Sequence, residues 1–398
     1  MSSKGSKTLR TKLCDMLDIE YPIILAGMGG VAGPTLTAAV SNAGGLGVLG
    51  AAGLSADQLR DWIRKTKELT DKPFGVDLLL PKIDLPPMSG KLSISELRAF
   101  LPAEDLAFVD KLKKEIGIPD VEIPEYDVWS DFLSGGKTLI DVIMEERVAV
   151  FASGLGNPES VVPRAHAQGM KVIGLVGNVK NARRVAEAGA DIIVAQGHEA
   201  GGHTGRIGTM ALVPQVIDAV HPLPVVAAGG VGDGRGLVAS LAMGAWGVWV
   251  GSAFLLAHES SIDAPKDWIT NLGVDTYALE PWEIENWKEG IIAATEEDTR
   301  VTRIYTGKTA RFLSNKFIEA WDKAGGKALP MPLQTLLICE AELGLRKARM
   351  TEYMAWFAGQ IVGMLKERKS AKQIVDDMVE EAIVILKEKL PAEVKAED

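Results

Sequence analysis

Eight short apolar runs recur along the chain, at residues 22–26, 46–50, 74–80, 148–153, 171–176, 191–196, 224–228 and 247–254. They are nearly continuous in Val, Ile, Leu and Ala rather than alternating with polar positions, the pattern of strands buried on both faces. Between them lie stretches with helical spacing, at 55–69, 157–168, 179–188, 212–220 and 234–243. Ser55 stands where an N-cap is expected, and Gly169, Gly189 and Gly244 follow predicted helix ends. Strand alternating with helix predicts a parallel sheet, because each parallel pair needs a crossover. Eight such units predict a closed (β/α)8 TIM barrel, with an open doubly wound sheet as the alternative.

Two regions leave this rhythm. Residues 81–136 interrupt the third unit with Pro81, Pro86, Pro87, Pro102, Pro119 and Pro124 and one helical piece around 103–116. An insertion after a strand's C-terminal end falls on the catalytic face, where it serves as a lid or as mere surface decoration. From about residue 261 the pattern turns mainly helical, clearest at 336–348, 352–366 and 371–386, with a charge-rich stretch at 376–398. The expected division is therefore 14–80 with 137–260 as barrel, 81–136 as insertion, and 261–390 as a helical substrate domain.

Charge and composition narrow the class. The 398 residues carry 43 Lys and Arg against 53 Asp and Glu, a formal net charge of −10. That excess of acid disfavours nucleic acid or an anionic membrane as the main partner. With 47% apolar and 24% charged residues, the composition is that of a globular protein with a large core. The two cysteines, Cys14 and Cys339, lie too far apart to suggest a disulfide framework or a zinc site. Residues 236–257 carry no charge and approach membrane-spanning length. Gly244, Gly247 and Gly251 divide them, however, so a buried helix–strand unit is expected instead. The first thirteen residues are basic and polar without an apolar run, unlike a secretory signal. A transit peptide is the alternative, but a core strand predicted near Tyr21 leaves little to remove, and a cytoplasmic location is expected.

In such barrels the chemistry sits on loops after the strands. The first loop, Gly27-Met28-Gly29-Gly30, allows backbone to approach a ligand closely. After the sixth strand comes Gln196-Gly197-His198-Glu199-Ala200-Gly201-Gly202-His203-Thr204-Gly205, which sets an imidazole in a glycine-framed loop. A histidine there can exchange a proton near neutral pH. Pairing His198 with His203 as metal ligands fails, since they are five apart and the glycines forbid a helix. His166 and His221 fall at helix ends and read as structural. Glycines in both the seventh loop (Gly229, Gly230, Gly232) and the eighth (Gly251-Ser252) point to a phosphate held by backbone N–H groups.

These residues together resemble the nitronate monooxygenase (2-nitropropane dioxygenase) family. The resemblance rests on the Gln196–Gly205 loop and on Pro224-Val225-Val226-Ala227-Ala228-Gly229-Gly230-Val231-Gly232-Asp233-Gly234-Arg235-Gly236. It extends to Gly244-Ala245, Gly251-Ser252 and Phe254, to residues 39–47, to Tyr305-Thr306-Gly307-Lys308-Thr309-Ala310-Arg311, and to Ala358-Gly359-Gln360. It implies an FMN-dependent barrel with a helical substrate domain. The FMN phosphate would lie on Gly229, Gly230, Gly251 and Ser252, and Gly27, Met28, Asp77, Gln196, Gly201, Gly202 and Trp249 would line the rest. His203 would be the base or hydrogen-bond donor beside the flavin. The family usually has Pro at position 27, Asn at 77, Gln at 249 and Thr at 252, so this chain departs at all four.

The activity implied is oxidation of an alkyl nitronate, a small molecule, with O2 to a carbonyl compound and nitrite. An NAD(P)H-dependent FMN reductase of the enoyl-acyl-carrier-protein reductase type is the alternative, and a flavin-binding barrel without catalysis a second. An IMP dehydrogenase-like reading fails because neither Cys14 nor Cys339 lies on a catalytic loop. Assembly into a homo-oligomer is compatible with each of these.

Overall fold

The computed structural model describes residues 8–80, 94–123, 137–261, 263 and 280–395. Its strands are β1 (Ile23–Leu25), β2 (Gly47–Gly50), β3 (Phe74–Leu79), β4 (Val150–Gly154), β5 (Lys171–Val176), β6 (Ile192–Gln196), β7 (Gly202–His203), β8 (Val225–Ala228), β9 (Gly247–Val250), β10 (Thr299–Thr302) and β11 (Ala310–Leu313). Eight of them pair in parallel in the order β1-β9-β8-β6-β5-β4-β3-β2. A bridge from Ile24 to Leu46 brings β1 back to β2 and closes the ring. The result is the TIM barrel that the eight apolar runs predict.

Alternation along each strand sorts its residues between two cores. Ile24, Val194, Val226 and Trp249 point inward and fill the barrel's centre. Helix α1 (Lys12–Leu17) adds Leu13, Cys14 and Leu17 to that same cluster. The intervening residues face the outer helices: α2 (Pro34–Asn42), α3 (Ala56–Leu69), α6 (Lys137–Glu146), α7 (Val162–His166), α8 (Val179–Glu187), α9 (Thr209–Val220) and α10 (Gly234–Ala242). Ser55 caps α3 through a reciprocal box with Gln58, as its sequence suggests. The uncharged stretch 236–257 becomes α10 and β9, and no helix among the described residues is long and apolar enough to cross a membrane.

Three expectations change. The helix expected at 157–168 is a 3-10 turn (Pro158–Ser160) followed by α7, because Pro158 and Pro163 each start a new turn. Residues 352–366 form 3-10 turns at Thr351–Tyr353 and Gln360–Met364 rather than one helix. There the backbone around Gly359 packs against the backbone of Glu199 and Gly201, and that contact overrides helical propensity. Finally, α14 (Ala371–Val384) contacts α2 and α10 and fills the eighth barrel helix, so this part of the expected 261–390 unit belongs to the barrel.

The insertion's described residues form α4 (Ile94–Arg98) and α5 (Ala103–Ile116). They share one apolar core with β11, α12 (Lys316–Lys323) and α13 (Leu333–Lys347), through Val109, Leu112, Phe312, Trp321 and Leu337. Lys113 pairs with Glu340 across this joint. Helix α11 (Pro281–Ala293) instead joins the barrel-side core through Trp287 and Ile291. The insertion and residues 304–345 of the C-terminal segment thus share one core beside the barrel mouth. Residues 81–93 and 124–136 of the insertion lie outside the described residues.

Candidate active site

A cavity of 1280 Å³ opens at the C-terminal ends of the barrel strands, between the barrel and the second unit. It exceeds the ~300–1,000 Å³ typical of a single ligand pocket, which leaves room for a cofactor and a substrate together. All twelve residues singled out from sequence line it: Gly27 and Met28 from the first loop, Asp77, Gln196, Gly201, Gly202, His203, Gly229, Gly230, Trp249, Gly251 and Ser252.

Strand parity explains several placements. Val76 and Leu78 face the outer helices, so Asp77 between them points into the barrel mouth. Gln196 continues the inward series Ile192 and Val194, and its amide N–H donates to the His203 carbonyl. Trp249 lies lower, packed with the inward residues of neighbouring strands, and forms the floor of the cavity.

The seventh and eighth loops fit an anionic group. Gly229 and Gly230 have φ of 91° and 76°, left-handed values that favour glycine. The amide N–H groups of Gly229, Gly230 and Gly251 find no carbonyl acceptor among the described residues. Ser252 Oγ accepts the Gly359 N–H at 2.8 Å, and Gln360 N–H donates to the Glu199 carbonyl at 3.0 Å. A Cβ on Gly201 would sit 2.7 Å from backbone atoms of Ala358 and Gly359, so these segments interlock only because they are glycine. The Glu199 carboxylate acts as scaffold. It accepts from Thr209 N–H at 3.0 Å and Thr209 Oγ1 at 2.9 Å, holding the sixth loop on α9.

His203 is placed by a contact that short-range pattern cannot reveal. The two-residue β7 pairs antiparallel with β11, setting His203 opposite Ala310, and β10 completes a three-stranded sheet. His203 Nε2 lies 3.0 Å from Thr306 Oγ1. The Thr306 Oγ1 also lies 3.2 Å from the Lys308 carbonyl; with its hydroxyl turned to that carbonyl it accepts from His203 Nε2–H, the assignment that leaves Nδ1 as the basic ring atom. Burial, and then the charge of Lys308, lower the imidazole pKa to about 4. Asp77 moves the other way: burial raises its carboxyl to about 7, against the one N–H it accepts, from Gly154 at 3.2 Å. Lys308 is itself lowered by burial. At neutral pH the cavity therefore presents an uncharged imidazole, a carboxyl poised between acid and carboxylate, and a lysine whose charged form burial disfavours.

Lys308, Thr306, Tyr305, Trp287 and Trp356 were not among the site residues read from sequence. The signal for the first three was the Tyr305–Arg311 motif, which could not be placed without β11. Trp287 stacks on Trp356 with ring centroids 5.5 Å apart and gives the cavity an aromatic wall.

The family description "Nitronate monooxygenase" matches residues 10–280 and 285–381. The Mycobacterium tuberculosis protein Rv1533, described as a monooxygenase, is 38% identical over 388 residues, covering 94% of this chain and 97% of that one. A Staphylococcus saprophyticus protein described as a nitronate monooxygenase is 34% identical over 394 residues, covering 95% and 99%. Among solved structures, FabK from Thermotoga maritima superposes with a TM-score of 0.71 at 32% identity, covering 97% of this chain and 100% of that one. Nitroalkane oxidase from Streptomyces ansochromogenes gives 0.71 at 29%, covering 94% and 99%. With the barrel, the cavity and the family match in agreement, the chain belongs to the nitronate monooxygenase family of flavin-dependent oxidoreductases acting on nitronates.

Proposed function

We propose that the flavin is FMN, that its phosphate lies on Gly229, Gly230, Gly251 and Ser252, and that His203 is the catalytic residue. The cluster of amide N–H groups without carbonyl acceptors supports the phosphate placement. Gly27, Met28, Asp77, Gln196, Gly201, Gly202 and Trp249 would hold the ring system from the barrel side. When bound, the flavin supplies the electron-accepting chemistry and the reaction with O2.

The observation that carries this reading is a neutral His203 in the cavity, oriented through Thr306 and under the influence of Lys308. An anionic nitronate would be attracted by the Lys308 ammonium, and its charge would raise the imidazole pKa from the low value of the free site. His203 would then hold the nitronate as a hydrogen-bond donor, or take the α-proton when a neutral nitroalkane enters. The products are a carbonyl compound and nitrite.

The likeness to FabK supports one second reading, reduction of the flavin by NAD(P)H. Anaerobic mixing separates the two. We expect an alkyl nitronate to bleach the flavin band and NADPH or NADH to leave it unchanged; bleaching by the nucleotide alone would overturn the nitronate reading. We further propose a cytoplasmic location and assembly with further copies of the chain.

A further inference from the structure

Gly27 and Asp77 meet at the mouth of the barrel, where both line the cavity. A Cβ on Gly27 would lie 2.3 Å from Asp77 Cβ and 2.6 Å from Asp77 Oδ2, so the carboxyl occupies space that any side chain at position 27 would need. Asp77 is only 7% exposed and lines the cavity. Its contacts are Gly154 N–H, the backbone of Gly50 and Ala51 on one side, Ala152 on the other, and the Gly27 loop. None of these neighbours is charged or titratable. Two causes act on its proton, burial and the Gly154 N–H, with no nearby charge among them.

We propose that Gly27 and Asp77 are a matched pair that places a protonated carboxyl against the bound flavin, as a hydrogen-bond donor that a change of pH switches off. This inference rests on the FMN reading above. As the acid, Asp77 offers an O–H that favours the negative charge a flavin gains on reduction. As the carboxylate it only accepts, and its charge opposes that reduction. Asn donates at every pH, so of the two side chains only the carboxyl adds a protonation step of its own to the pH dependence of flavin reduction.

The test uses the FMN-loaded protein. We expect the absorption spectrum of bound flavin in the wild type to pass through a one-proton transition near neutral pH, and its midpoint potential to fall more steeply with pH across that transition. In Asp77→Asn, with flavin still bound, both features disappear. Identical titrations in the two proteins would overturn the proposal. Infrared difference spectra of the wild type give a check that needs no variant: a protonated-carboxyl C=O band must vanish over the same interval, and its absence would also refute the idea. The pairing is tested by Gly27→Ala, which by itself should lose flavin and should regain it when combined with Asp77→Gly; no recovery would break the pairing. A wild type that takes up no FMN would instead sink the cofactor reading itself.

Discussion

A buried carboxyl held near pKa 7 leaves a thermodynamic mark that needs no cofactor. In the unfolded chain Asp77 titrates at its ordinary value of 3.8, and in the fold at about 7. Between those values the folded state binds more protons than the unfolded one, so stability falls as pH rises. The contribution is fully present below pH 3.8 and is lost as pH passes the folded value. A tenfold change in proton affinity is worth about 1.4 kcal/mol, so the carboxyl costs the fold about 4 kcal/mol at pH 8, and about 2.5 kcal/mol of this accrues between pH 5 and 8. Asp77→Asn keeps the shape and the acceptor for Gly154 N–H but has nothing to ionise. Guanidinium unfolding of flavin-free wild type and variant at pH 5, 6, 7 and 8 reads the difference directly. The variant should gain about 2.5 kcal/mol on the wild type across that range. His203, lowered to about 4, makes both proteins less stable as pH falls below its unfolded value of 6.5, but it is common to both and cancels. Parallel stability curves would refute the claim that burial holds Asp77 as the acid.

Further outcomes follow from the site. His203→Ala should retain FMN and lose roughly 100- to 10,000-fold in kcat/KM on nitronates; unchanged turnover would remove His203 from the chemistry. Lys308→Met removes the lesser of the two causes that depress His203, so the acidic limb of kcat/KM should move up by at most about one pH unit. A limb that stays in place would show that Lys308 does not act on the imidazole. Gly230→Val puts a branched side chain at a φ of 76° and should release FMN, read as the flavin-to-protein absorbance ratio; full occupancy would move the phosphate elsewhere.

Much of this molecule was written in short-range pattern. The eight apolar runs are enough to specify the barrel, because strands buried on both faces must be continuous in apolar residues and parallel neighbours must be joined by helices. The glycine loops could be assigned to the cavity for the same reason: a barrel sends every strand's C-terminal loop to one face. Ser55, Asn178 and Asp233 cap their helices through bonds spanning two or three residues, distances that sequence makes visible.

What only the tertiary structure decided involves partners far apart along the chain. The pairing of His203 with Ala310, the hydroxyl of Thr306 on its ring, and the joining of residues 94–123 to the C-terminal helices each span about a hundred residues or more. The eighth barrel helix is supplied after a detour through the second unit, which no local periodicity announces. The charge states are decided there too. Asp77 and His203 carry ordinary side chains in the sequence, and it is removal from water by strands and loops from distant segments that raises one pKa and lowers the other.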